Sequence, residues 1–101
     1  MPRRRADKID SNQPEIVKDL RKMGYSVVTD MDDLIVGVSG LTLWYELKRP
    51  EARSKRTGKI LDSFIKEGQK TLLRTFKGHY RIVCSLQDIL EDIKDVISRQ
   101  A

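Results

Sequence analysis

The chain has little of most things that announce a function. A single cysteine, Cys84, excludes an internal disulfide framework and cannot assemble a cysteine-rich zinc site. It sits in the apolar run from Tyr80 to Cys84 and reads as a buried structural thiol. A single histidine, His79, follows Gly78 in a turn-like stretch and reads as a surface residue rather than a general base. No apolar run approaches the ~20 residues that a bilayer span needs. The charged N-terminus has no apolar segment behind it of the kind that marks a signal peptide, so the expected location is intracellular. Internal repeats are absent.

What the chain does have is charge. Twenty Lys+Arg against fifteen Asp+Glu give a net charge of +5 and a pI near 9.5, which suits a polyanionic partner without requiring one. The 39% of hydrophobic residues in 101 is enough for one domain with one modest core.

Residues 1–10, with Arg3, Arg4 and Arg5, read as a flexible basic arm able to add phosphate contacts. A first helix is expected from about Asn12, with Asn12 as N-cap, Pro14 in the first turn and Glu15 placed for a capping box. Ile16, Leu20 and Met23 form its apolar stripe with Val17 beside it, and Gly24 ends it. A strand follows over Tyr25 to Thr29, and Asp30-Met31-Asp32 turns the chain. Residues 49–59 carry Arg49, Arg53, Lys55, Arg56 and Lys59 without periodicity and read as a mobile basic loop, a candidate clamp for a nucleic-acid backbone. Apolar spacing returns at Leu61, Phe64 and Ile65, then at Leu72 and Phe76. It is compatible with one bent helix or with a turn and a helix from about Glu67 to Phe76. Tyr80 to Cys84 is a short strand whose preceding helix suggests a crossover connection. The last helix runs from about Leu86 to Ser98, with Leu86, Ile89, Leu90, Ile93 and Ile97 inward.

The centre of the chain is Asp33 to Lys48, two apolar strands around Ser39-Gly40, a polar-glycine pair suited to a hairpin turn. With that turn, Asp33 faces Glu46, Ile35 faces Trp44 and Gly37 faces Thr42. Period 2 then sets Trp44, Glu46 and Lys48 on one side and Leu41, Leu43, Tyr45 and Leu47 on the other. Like charges directly opposite one another destabilise a sheet, so the Asp33–Glu46 pair calls for a cation. Carboxylates about 5 Å apart can share Mg²⁺, which prefers oxygen ligands. Such an ion polarises a phosphoryl oxygen and acidifies a coordinated water. Lys48 stands where it can orient the water or stabilise charge on the phosphate. The bland reading is a solvent-facing Glu-x-Lys pair, but a glutamate on a strand rich in Leu, Trp and Tyr still needs a partner.

Asp33, an apolar run and then Glu46-Leu47-Lys48 resemble the core of the PD-(D/E)XK nucleases. Ile9-Asp10-Ser11-Asn12-Gln13-Pro14-Glu15-Ile16-Val17, Asp33-Leu34-Ile35-Val36-Gly37, Gln69, and the strand ending Val83-Cys84-Ser85 narrow the likeness. They resemble the small stand-alone VRR-NUC domains common in phage and bacterial genomes. The likeness covers about residues 7–95. It implies a mixed α/β (α+β) fold of order α-β-β-β-α-β-α around a central mixed sheet, as in restriction endonucleases. It further implies hydrolysis of DNA phosphodiesters with Mg²⁺ or Mn²⁺, often as a homodimeric resolvase of four-way (Holliday) junctions or other branched DNA. By the same resemblance Asp33 and Glu46 are metal ligands, Lys48 is the catalytic lysine, Gln69 reaches the site from the second helix, and Glu15 helps hold the metal. Asp32 stands where the family usually carries proline, and strand parity selects Asp33 over Asp32 as the ligand. The competing reading, from a different class, is a basic DNA-binding module of the same fold that does not cut.

Overall fold

The computed structural model describes residues 12–100. The basic arm with Arg3, Arg4 and Arg5 lies outside them. Helix α1 spans Gln13–Lys22, and strands β1, β2 and β3 span Ser26–Asp30, Asp33–Val38 and Leu41–Leu47. Two 3₁₀ turns follow, Pro50–Ala52 and Asp62–Phe64, before helix α2 over Glu67–Thr75, strand β4 over Tyr80–Val83 and helix α3 over Leu86–Gln100. The fold is therefore mixed, a four-stranded sheet in the order β1-β2-β3-β4 with helices against it. β1 to β3 are an antiparallel meander, and β4 joins β3 in parallel through α2, the crossover that a helix between two strands implies. No helix among the described residues is long and apolar enough to cross a membrane.

The core fills one face of the sheet. Leu34, Val36, Leu43, Tyr45, Leu47 and Val83 meet Ile16, Val17 and Leu20 of α1 and Ile89, Ile93 and Val96 of α3. Each such aliphatic side chain contributes roughly 1.5–3 kcal/mol when fully buried. Both helices differ from the expected stripe at one end. Met23, assigned to the core of α1, is 51% exposed, because Gly24 at φ +96° turns the chain away directly beyond it. In α3 it is Val96 that is buried and Ile97 that is 38% exposed.

The start of α1 is secured by long-range side-chain bonds rather than by the expected capping box. Asn12 makes no side-chain cap; its Nδ2 donates to the Cys84 carbonyl at 3.2 Å, across to the end of β4. Gln13 is buried and donates from Nε2 to the Met31 carbonyl at 2.7 Å, so the helix start is pinned to the β1–β2 turn. Glu15 is left exposed. The first periodic segment after the basic loop resolves into a 3₁₀ turn, and α2 begins separately at Glu67.

Candidate metal and phosphate site

The hairpin forms with the register that its turn dictates. Ser39 at φ +50° and Gly40 at φ +79° are both left-handed, as a two-residue type I′ turn requires. Val38 therefore faces Leu41, and five steps out Asp33 faces Glu46. The Leu47 N–H donates to the Asp32 carbonyl at 2.9 Å, which makes the 32/47 position a hydrogen-bonded pair. Bonded and non-bonded pairs alternate along an antiparallel ladder, so Asp33 and Glu46 occupy a non-bonded position, where facing side chains approach most closely. The parity that selected Asp33 over Asp32 thus holds in the folded chain.

The face that carries this pair lies opposite the helical core. β4 supplies the next column: Tyr80 stands beside Trp44, and Ile82 beside Glu46. Trp44 takes edge-on contacts from Phe76 at 5.3 Å and Tyr80 at 4.7 Å between ring centroids. Phe76, just beyond α2, reaches Trp44 by folding over Gly78; a Cβ there would meet its ring at 2.7 Å. Trp44 and Tyr80 flank the pair on this face, and Phe76 covers Trp44 from the solvent side while remaining 43% exposed itself.

Glu46 is 8% exposed. Burial, a hydrogen bond with Asp33 and the Asp33 charge push its carboxyl up to about 8, while Lys48 opposes the shift. The Asp32 charge adds to it. Glu46 therefore keeps its proton well above the ordinary carboxylate range. On the same face burial raises the Tyr80 phenol, and Glu46 and Asp33 add to the rise. Among the described residues the Tyr80 hydroxyl and the Trp44 Nε1 are buried without a hydrogen-bond partner. Lys48 is half-buried, and its N–H continues the parallel ladder to the Val83 carbonyl at 2.7 Å.

The structure brings together Asp33, Glu46 and Lys48. It does not bring Glu15 in with them: among the described residues no three His, Cys, Asp or Glu side chains gather as a metal-holding group. Gln69 turns to its own helix, where its Oε1 accepts the Lys66 backbone N–H at 3.0 Å. Gln69, third residue of α2, thus makes the hydrogen bond by which an N3 side chain caps the residue before a helix. The basic loop is folded rather than featureless. Arg53 and Ile60 form an isolated bridge, and the Ser54 hydroxyl accepts the N–H groups of Arg56 and Thr57. Arg53 is committed to the Gly58 carbonyl and to Asp88, and the hydrogen bond to Asp88, with its charge, raises the guanidinium further against the opposing effect of burial. Arg49, Lys55, Arg56 and Lys59 remain exposed.

Three features escaped the sequence reading. Tyr80 was only the start of a strand, because its place beside Trp44 follows from the parallel register that the crossover sets. Gln13 gave no sign of its hold on the turn. His79, read as a surface residue, is instead largely buried: its Nε2 meets Asp92 Oδ2, the same oxygen that accepts the Tyr45 hydroxyl at 2.6 Å. Cys84 is buried as its apolar setting suggested.

No protein-family model matches the chain, and the searches of curated proteins and of solved structures return no match either.

Proposed function

We propose that this chain is a metal-dependent DNA endonuclease with a PD-(D/E)XK core, hydrolysing phosphodiester bonds in branched or four-way-junction DNA as a homodimer. One observation carries the reading: Asp33 and Glu46 face each other at a non-bonded ladder position, with Lys48 on the same strand face two residues on. The donor set fits a hard divalent cation. Two carboxylates converge, one of them buried and driven to keep a proton, and a cation would replace that proton and lift the repulsion between them. Mg²⁺ or Mn²⁺ bound there supplies Lewis acidity at the phosphoryl group. The chain's own residues do the rest. Asp33 and Glu46 hold the centre, and the packed rings of Trp44 and Tyr80 flank it on the same face. The Lys48 ammonium stands ready to stabilise charge that grows on the phosphate as it is attacked.

The test is cleavage of labelled four-way-junction, flap and plasmid DNA with Mg²⁺ and with Mn²⁺, run beside the solution mass of the protein. Junction cutting by a dimer is the expected result. Failure on every substrate with both metals overturns the reading in favour of a DNA-binding module that does not cut.

A further inference from the structure

A groove of about 670 Å³ lies between α1 and β1, lined among others by Gln13, Lys18, Arg21, Lys22 and Thr29. The three cations are spaced i, i+3, i+4 and so share one face of the helix. No acid is among the lining residues. Among the described residues neither Lys18 nor Lys22 forms an ion pair. Arg21 donates from one guanidinium nitrogen to the Val27 carbonyl at 2.8 Å, which holds the group over β1. The contrast within the molecule is sharp. A second groove carries Arg53 and Arg81 but also Asp88, Glu91 and Asp92, and offers no net attraction to a polyanion.

We infer that the α1–β1 groove binds the sugar–phosphate backbone of the DNA strand whose phosphodiester is held at Asp33 and Glu46. The inference rests on the proposed nuclease reading and extends it to a surface that the basic arm and loop do not include. Two observations support it. The charge is complementary, three cations with a Thr29 hydroxyl beside them. The groove also ends beside the turn that leads into the site, because Gln13 lines it and bonds the Met31 carbonyl, two residues before Asp33. The carboxylate pair is on the other face of the sheet, so a strand held there rounds this turn before it meets the cations. Such contacts position the substrate and carry no sequence preference.

The experiment measures binding of a fluorescein-labelled duplex and a four-way junction to the full chain by anisotropy. EDTA keeps cleavage out, and salt is varied. Lys18→Glu and Lys22→Glu, both exposed, are compared with Lys94→Glu on the outer side of α3. Each groove variant is expected to lose about threefold to tenfold in affinity near 0.15 M salt, with a salt slope shallower by roughly one unit per lost phosphate contact. Lys94→Glu stays close to wild type. Equal losses at Lys94 reduce the effect to net charge and overturn the groove. Unchanged binding in both groove variants overturns it too, and if wild type still cuts, the nuclease reading survives alone. Wild type that binds no DNA in EDTA overturns the groove, and the nuclease reading then stands or falls on the cleavage assay with Mg²⁺ and Mn²⁺. Binding to phosphatidylserine vesicles that the groove variants abolish, with DNA affinity untouched, assigns the groove to a membrane and overturns the inference.

Discussion

The two faces of the sheet treat their acids in opposite ways. On the helical side Asp92 accepts the Tyr45 hydroxyl and His79, and Arg81 approaches to 3.7 Å. Nearby, although burial opposes it, the Cys84 backbone N–H and the Arg53 guanidinium hold Asp88 below the ordinary carboxylate range. On the other side Glu46 is the more deeply buried, yet its carboxyl is set against another acid, Asp33. A partnered buried acid is part of the architecture. An acid buried against an acid weakens the sheet that carries it, and such a cost is commonly met where a ligand is bound. Under the proposed function, the difference separates structural acids from metal-binding ones on a single sheet.

The comparison breaks most readily at the acids themselves. Asp33→Ala and Glu46→Ala should abolish cleavage, and Lys48→Ala should lower it by at least about a hundredfold. All three should keep a cooperative thermal transition and DNA binding by anisotropy. A variant that cuts normally removes its residue from the site. Removing Asp92 should do the reverse. Asp92→Ala strands the Tyr45 hydroxyl and His79 inside the fold and should cost about 2–4 kcal/mol in urea denaturation, while binding Mn²⁺ as wild type does.

The next contrast is in pH. The folded chain holds a proton on Glu46 up to about 8, against an ordinary value of 4.5. Between those values the folded state therefore binds more proton than the unfolded one. The corresponding stability is complete below the lower value and is lost as pH rises through the upper. In EDTA the melting temperature should fall from pH 5 to 9, and Glu46→Gln should flatten that fall. A wild-type profile already flat would show that the acids share no proton. The smallest effect is expected at Arg53. Arg53→Ala should cost about 1 kcal/mol at neutral pH, the pair being partly exposed. Because the folded Asp88 is held low, that contribution is present above the ordinary carboxylate value and disappears as pH falls through the folded one. Denaturation of both proteins at pH 7 and pH 3 reads it directly.

How much of the site was legible depended on how far apart the deciding groups lie in the chain. The Asp33–Glu46 pairing needs only a two-residue turn and a period of 2, and neither leaves room for a half-step error. Helix phase is softer. At 100° per residue, whether Val96 or Ile97 points inward depends on how α3 crosses the sheet, and Met23 lost its place because the chain leaves α1 directly after it. Long side chains are softer still. Arg53 looked like a backbone clamp in a basic run, but its carboxylate partner lies 35 residues away and became available only once α3 docked. Gln69 found a closer partner in its own helix start.

The amino-acid order by itself therefore determined the sequence of elements, the hairpin and its register, and the face shared by Asp33, Glu46 and Lys48. All of these follow from local turn chemistry and strand alternation. Only the tertiary structure decided that Tyr80 and Phe76 pack with Trp44 on that face, that Glu15 and Gln69 stay out of it, and that Asp92 meets donors while Glu46 meets another acid. These depend on which groups the folded chain sets beside one another, and for the buried acids the choice is binding because no water remains to replace a missing partner.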